Sequence, residues 1–317
     1  MADLAFLTGA TGFVGANLAR LLVEKGLKVR ALARKGSERK ALSGVDVEIC
    51  EGDLLDPASL ERGCAGARYV FHVAADYRIW VPDPAAMLAA NVGGTENVLK
   101  AAGKAGAERI VHCSSVAAVK LHKDGTSADE TSEYAGPESI IGVYKRSKWL
   151  SERAALKLAA EGLPIVVVNP AAPIGPWDVK PTPTGKIIVD FLNRRLPSYV
   201  DTGLNVVHVR DVAEGHWLAA KKGEVGRRYI LAGENMSLKA ILDVLAELTG
   251  MPAPRFQTPY AVAYAFGALD ELRLRTLGGE PVAPLDAVRM ARHKMYFTAA
   301  KAVGELGLPQ TPARQAL

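Results

Sequence analysis

Leu4-Ala-Phe-Leu-Thr-Gly-Ala-Thr-Gly-Phe-Val-Gly15 is the stretch that decides the fold. Its first half, Leu4–Thr8, is a short apolar run that reads as a buried strand. Helical periodicity follows over Asn17–Lys25, and Gly26 ends it. Gly9, Gly12 and Gly15 lie between the two, with Thr11, Phe13 and Val14 filling the same turn. Glycines suit a phosphate-binding turn because a side chain would keep the backbone from a pyrophosphate, while the helix N-terminus supplies free N–H groups and partial positive charge. Such spacing also serves plain strand–helix packing, so the motif gains force only from its strand–turn–helix setting.

Working outward, Leu27–Ala33, Asp46–Cys50, Tyr69–Ala75, Arg109–Cys113 and Ile165–Asn169 read as five more strands. Helical patterns occupy 57–65, 85–104 and 144–161. Alternating strands and helices, with strands apolar on both faces, predict an α/β fold: a Rossmann-type doubly wound parallel sheet covered by helices on both sides. Pro170, Pro173, Pro176, Pro181 and Pro183 then crowd the chain too closely for one continuous element. The expected division is a dinucleotide-binding domain over 1–170, its sheet revisited by about 206–232 through Val206–Val209 and Arg228–Leu231. A smaller, mostly helical substrate lobe would comprise 171–205 and 233–317. Within it Ser237–Leu248 is amphipathic with Ser237 as N-cap, and Ala287–Lys294 and Ala299–Leu306 are helical.

The length, 317 residues, fits two such units. The longest mostly apolar stretch, Tyr260–Leu269, is about half of the roughly 20 residues that span a bilayer. The N-terminus lacks the basic start of a signal peptide, and Cys50, Cys64 and Cys113 form neither a disulfide framework nor a zinc pattern. A cytoplasmic protein is expected, without an integral membrane segment. The six histidines share no ligand spacing, so no metal site is expected. His72 and His112 read as core residues.

The net charge is +5, yet Lys25–Lys40 alone holds seven cations against one acid, Glu38. No aromatic residue lies among them, which argues against a nucleic-acid site. The position matters more. An acid at the end of the second strand would hold the ribose hydroxyls of NAD, whereas Arg suits the 2′-phosphate of NADP. Here Ala33 is followed by Arg34 and Lys35, which favours NADP over NAD; ordinary surface cations are the competing reading. After the third strand, Asp53 and Leu54 are placed to meet adenine, with Asp53 as a turn cap the alternative.

Tyr144-Lys-Arg-Ser-Lys148 sets a phenol and an ammonium on one helix face. A phenol of pKa about 10 is a poor proton donor at neutral pH, and a neighbouring cation would bring it toward the working range. Alone the pair is common. Ser114-Ser115, at the carboxyl end of the fifth strand, adds a hydroxyl able to polarise a carbonyl.

TGATGFVG, GDL, HVAA, NVGGT, SS, YxxSK, NPxxPxGP and VHVRDVA occur in that order over nearly the whole chain. This pattern resembles the extended short-chain dehydrogenase/reductase superfamily, in its dihydroflavonol 4-reductase-like branch. HVAADYRIWVPD, IGVYKRSK and PIGPWDVKPTPTGKIIVDFL look most like the bacterial hopanoid-associated sugar epimerase group. The resemblance implies that Ser115, Tyr144 and Lys148 are catalytic, with Lys148 also on the nicotinamide ribose. Asn91 would complete a proton relay, and Ala74, Ala75, Pro170 and Ala171 would flank the cofactor. CSSVAAV departs from the nucleotide-sugar enzymes' aromatic pattern, which leaves Ser114 beside Ser115 as a candidate. Helices 88–104 and 144–161 would pair across a homodimer, as in resembling enzymes.

The implied chemistry is hydride transfer between nicotinamide and a secondary alcohol or ketone of small size. Epimerases of the superfamily usually retain NAD, so the Arg34 turn favours an NADP-dependent carbonyl reductase. An NAD(P)-dependent nucleotide-sugar epimerase working by transient oxidation is the alternative. A nonenzymatic cofactor-binding sensor is disfavoured because such proteins commonly lose the Tyr/Lys pair. Tyr77, Arg78, Trp80, Trp177, Lys180, Lys186 and Arg210 are expected to border the substrate crevice, with loop solubility the alternative for the cations.

Overall fold

The computed structural model describes residues 2–317. The chain opens with β1 (Leu4–Thr8), α1 (Phe13–Glu24), β2 (Lys28–Ala33), β3 (Glu48–Glu51), α2 (Pro57–Cys64) and β4 (Tyr69–His72). It continues through α3 (Pro84–Leu88), α4 (Gly94–Lys104), β5 (Arg109–Cys113), α5 (Val143–Ala160) and β6 (Ile165–Pro170). Next come β7 (Ala172–Ile174), α6 (Pro183–Leu192), β8 (Ser198–Tyr199), β9 (Gly203–His208), α7 (Val209–Lys222) and β10 (Arg228–Leu231). The last part holds β11 (Glu234–Ser237), α8 (Leu238–Thr249), β12 (Phe256–Gln257), α9 (Tyr260–Leu277), α10 (Leu285–Ala291), β13 (Lys294–Met295) and α11 (Ala313–Ala316).

Seven strands form one sheet in the order β10-β6-β5-β4-β1-β2-β3, every neighbour parallel. The order reverses between β1 and β4, which opens a crevice at their carboxyl ends. Strand residues alternate strictly between the two faces. Ala5, Leu7, Phe71, Val111, Val166 and Val168 pack on the side of α1 and α7. Phe6, Val70, Ile110 and Val167 pack on the opposite side with Leu60, Val98, Leu99 and Ala155 of α2, α4 and α5. Burial on both faces explains why these strands read as continuous apolar runs.

Three expectations need correction. β4 stops at His72 rather than Ala75, because the chain turns away where Ala74 meets Gly9. The helix expected over 85–104 is interrupted by a π-helical turn at Ala89–Gly93, which joins α3 to α4. Arg228–Leu231 adds to the main sheet, but Gly203–His208 does not rejoin it. β9 instead centres a small second sheet with β7 and β13 parallel to it and β11 antiparallel. Around that sheet Phe191, Ile241, Leu242, Leu245, Ala313 and Ala316 close a separate apolar cluster with Ile174 and Val206. Within the described residues, no helix is long and apolar enough to cross a membrane.

One glycine shows how tightly α2 seats on the sheet. A Cβ at Gly63 would lie 2.4 Å from the fully buried Phe6 ring. Gly63→Ala should therefore destabilise by about 1–3 kcal/mol, read as a lowered unfolding midpoint. Gly93→Ala, at φ −61 with open space around it, should leave the midpoint unchanged or raise it.

Candidate active site

The turn after β1 is built for close approach. Gly9 has φ +78, and a Cβ there would sit 2.5 Å from Ala74 N. A Cβ on Gly15 would sit 2.1 Å from Gly9 O, so α1 rests directly on the turn. Gly12 is the N-cap of α1, and no side chain caps the helix or places an acid in its first turn. The amides of Phe13 and Val14 thus face the crevice without intrahelical partners. This cradle fits the diphosphate of a dinucleotide.

Arg34 and Lys35 lie exposed just beyond β2, and neither makes an ion pair among the described residues. Their neighbours in the basic segment are engaged: Lys25 with Glu214, Arg30 with Glu48, Arg39 with Glu51 and Lys40 with Glu38. Asp53 sits at the end of β3, where its Oδ1 accepts from Leu55 N at 2.9 Å, so the turn-cap reading holds for that oxygen. Leu54 packs against Gly94.

From β4 a chain of hydrogen bonds crosses the sheet. Ala74 N donates to Thr8 Oγ1 (3.2 Å), and the Thr8 hydroxyl donates to His72 Nδ1 (2.8 Å). His72 Nε2 then donates to Thr95 Oγ1 (2.9 Å), which donates to the Asn91 carbonyl (2.6 Å). His72 is thereby a satisfied core residue, its imidazole held neutral by burial with a pKa lowered to about 3. His112 stacks on it at 5.4 Å, and neither ring nitrogen has a protein partner.

Asn91 is 2 % exposed in the π-helical turn. Its side chain accepts from Asp76 N (2.8 Å) and donates to Asp76 O (2.8 Å) and Ser147 Oγ (2.9 Å). It thus clamps the loop after β4 to α5 and makes no hydrogen bond to Tyr144 or Lys148. The serine of YxxSK is its partner, a link that sequence alone does not show.

Tyr144 and Lys148 lie one turn apart on α5, and Ser115 caps the short turn after β5. The Ser115 hydroxyl lies toward the Tyr144 phenol, and the Ser114 hydroxyl is buried without a partner. Burial raises the Tyr144 pKa to about 12, with the Ser115 hydroxyl working against it. The expected lowering by Lys148 is not seen. The Lys148 ammonium donates to the Cys113 carbonyl at 2.7 Å. Lys148 is 4 % exposed, and desolvation lowers its pKa. Lys145, next to the phenol, was not foreseen: burial lowers it to about 8, and its neighbours in sequence carry no sign of that.

Pro170 closes β6 and Ala171 N donates to Leu231 O, which places both at the crevice end of the sheet. The expected substrate residues divide. Tyr77 is exposed and Trp80 half-buried on the loop after β4. Arg78 is held by Asp76 at 2.5 Å, Lys186 by Asp190 at 2.7 Å and Lys180 by Glu38 at 3.7 Å. Trp177, at φ +74, lies under the Arg20 guanidinium at 3.7 Å, pinning its loop to α1. Arg210 does not border the crevice, for it pairs with Glu24 at the far end of α1, about 18 Å along the helix from Gly12. No cluster of metal-ligating side chains occurs among the described residues.

A glycine cradle at the switch point of a seven-stranded parallel sheet, with a Ser–Tyr–Lys set beyond it, defines a nicotinamide-dependent enzyme of the extended short-chain dehydrogenase/reductase type. The chain belongs to the NAD-dependent epimerase/dehydratase family, whose profile matches residues 5–232. It is 49% identical over its full length to 93% of a Synechocystis sp. protein that carries a provisional assignment as a dihydroflavonol 4-reductase. It is 36% identical, over 98% of this chain and 94% of the other, to sterol demethylase protein B of Methylococcus capsulatus. A crystal structure of a nucleoside-diphosphate-sugar epimerase from Pseudomonas aeruginosa superposes with a TM-score of 0.83 at 27% identity, covering 100% of this chain and 95% of that one.

The buried imidazoles give a pH signature. His72 at about 3, His216 at about 4 and His112 well below the ordinary 6.5 all stay neutral when folded and take up protons on unfolding. Their depressed values add stability above pH 6.5 that is lost as pH falls toward 4. Each proton contributes about 1.4 kcal/mol per pH unit to that slope. Urea unfolding should therefore show stability declining from pH 7 to about 5, with a shallower slope in His216→Phe.

Proposed function

We propose that the protein is an NADP-dependent carbonyl reductase acting between a ketone and a secondary alcohol. The observation that carries this reading is the pair Arg34 and Lys35, exposed and unpaired at the end of β2 where an NAD-binding acid would stand. A planar guanidinium with a second cation beside it suits the 2′-phosphate. The glycine turn would hold the diphosphate, Asp53 and Leu54 the adenine, and Ala74, Ala75, Pro170, Ala171 and Lys148 the nicotinamide half.

Bound NADPH supplies the hydride. The chain's own residues do the rest. Ser115 donates to the carbonyl oxygen and orients it beside Tyr144. The Tyr144 phenol, kept protonated by burial, gives its proton to that oxygen as negative charge develops there. A phenol of pKa about 12 is suited to donate to an alkoxide. Lys148 presents positive charge close to the phenol as it loses its proton.

NADPH consumption followed with a panel of ketones tests this directly. Interconversion of nucleotide sugars without added cofactor, together with no NADPH oxidation, would replace it with the epimerase reading that the P. aeruginosa relative supports. Arg34→Ala should raise the KM for NADPH about tenfold or more and leave NADH use unchanged. Tyr144→Phe should lower kcat by about 10²–10⁴-fold. Full turnover in that variant would remove Tyr144 from the chemistry.

A further inference from the structure

Behind Tyr144 and Lys148, the same face of α5 carries a third polar side chain. Glu152 follows Lys148 by one turn and is 1 % exposed. Its Oε1 accepts from Arg228 Nη1 at 2.8 Å, and its Oε2 accepts from Asn169 Nδ2 at 2.6 Å. Arg228, 6 % exposed on β10, also donates to the carbonyls of Glu130 and Ser132. Asn169, on β6, makes a second donation from the same Nδ2, to the Ser115 carbonyl at 3.0 Å. Its Oδ1 is buried with no partner. That orientation is forced, because the opposite one would aim Oδ1 at a carboxylate and a carbonyl.

We propose that Glu152, anchored by Arg228, is a positioning residue of the reaction centre: through Asn169 it fixes the turn that carries Ser115. The inference rests on the reductase reading and deepens it. The Ser115 carbonyl also accepts from Ala118 N (2.9 Å), and the Ser115 hydroxyl accepts from Ala117 N (3.1 Å). Asn169 therefore holds the turn that aims the hydroxyl at Tyr144.

An isosteric change separates this role from simple packing. In Glu152→Gln the new amide can give Arg228 its oxygen only by turning its NH₂ toward Asn169. Asn169 must then rotate Oδ1 inward, which sets an acceptor against the Ser115 carbonyl. Asn169→Ala cuts the tether but leaves the ion pair and the charge. Hydrogen exchange at Ala117 and Ala118 reads the turn without any substrate. Steady-state kinetics with the ketone that the parent reduces read the rest.

Both variants should speed exchange at Ala117 and Ala118 and lower kcat about tenfold to a hundredfold, with the cofactor KM within about twofold of the parent. Unchanged exchange, or a kcat within about twofold of the parent, would each overturn the proposal. Asn169→Ala keeps the ion pair, so it tests the tether even where Glu152→Gln does not fold. Failure of the underlying reading shows elsewhere, as a Tyr144→Phe variant that keeps turnover, and the exchange measurement still judges the tether.

Discussion

At Gly9 the backbone leaving β1 runs so close to Ala74 that a Cβ would lie 2.5 Å from its nitrogen, and at Gly15 the helix comes closer still to the Gly9 carbonyl. Three chain segments share one narrow space there: the end of β1, the start of α1 and the loop after β4. This contact sets the direction of α1, and so exposes its uncapped amides to the crevice. It also ends β4 at His72 and sends the loop out toward Asp76, where Asn91 catches it. The cradle for the cofactor and the switch point of the sheet are therefore one construction. A side chain at either glycine would displace both.

The reaction end depends on buried polarity rather than close approach. Lys148, Glu152, Asn169 and Arg228 are all nearly inaccessible to water. Burying such charges is expensive unless each finds a partner, and here each does: Lys148 on a carbonyl, Glu152 on Arg228 and Asn169. Desolvation accounts for the raised Tyr144 and the lowered Lys148 alike.

Local patterns made the first half of the chain readable. GxxGxxG between an apolar run and a helix, and Tyr144 with Lys148 at one-turn spacing, need only neighbours in sequence to be recognised. Pairings over long separations were not readable in the same way. Nothing in Gly203–His208 marks it for a second sheet, because an apolar strand looks alike wherever it pairs. Arg210 was a plausible crevice cation until the fold brought Glu24 to it. Glu152 and Arg228 stand 76 residues apart, and each alone reads as surface charge. The π-helical turn at Ala89–Gly93 lay hidden in an otherwise ordinary helical pattern, with the Gly93-Gly94 pair as its only local sign.

The chain of hydrogen bonds from Ala74 to Asn91 has a property that neither end reveals alone. The Thr95 hydroxyl spends its one hydrogen on the Asn91 carbonyl, a group that can only accept. Thr95 must therefore accept from His72 Nε2, which leaves Nδ1 to take the Thr8 hydrogen. One carbonyl in the π-helical turn thus selects the tautomer of a buried imidazole two bonds away. The loop after β4, tied on through Ala74 N, hangs from a row whose polarity is set on the other side of the sheet.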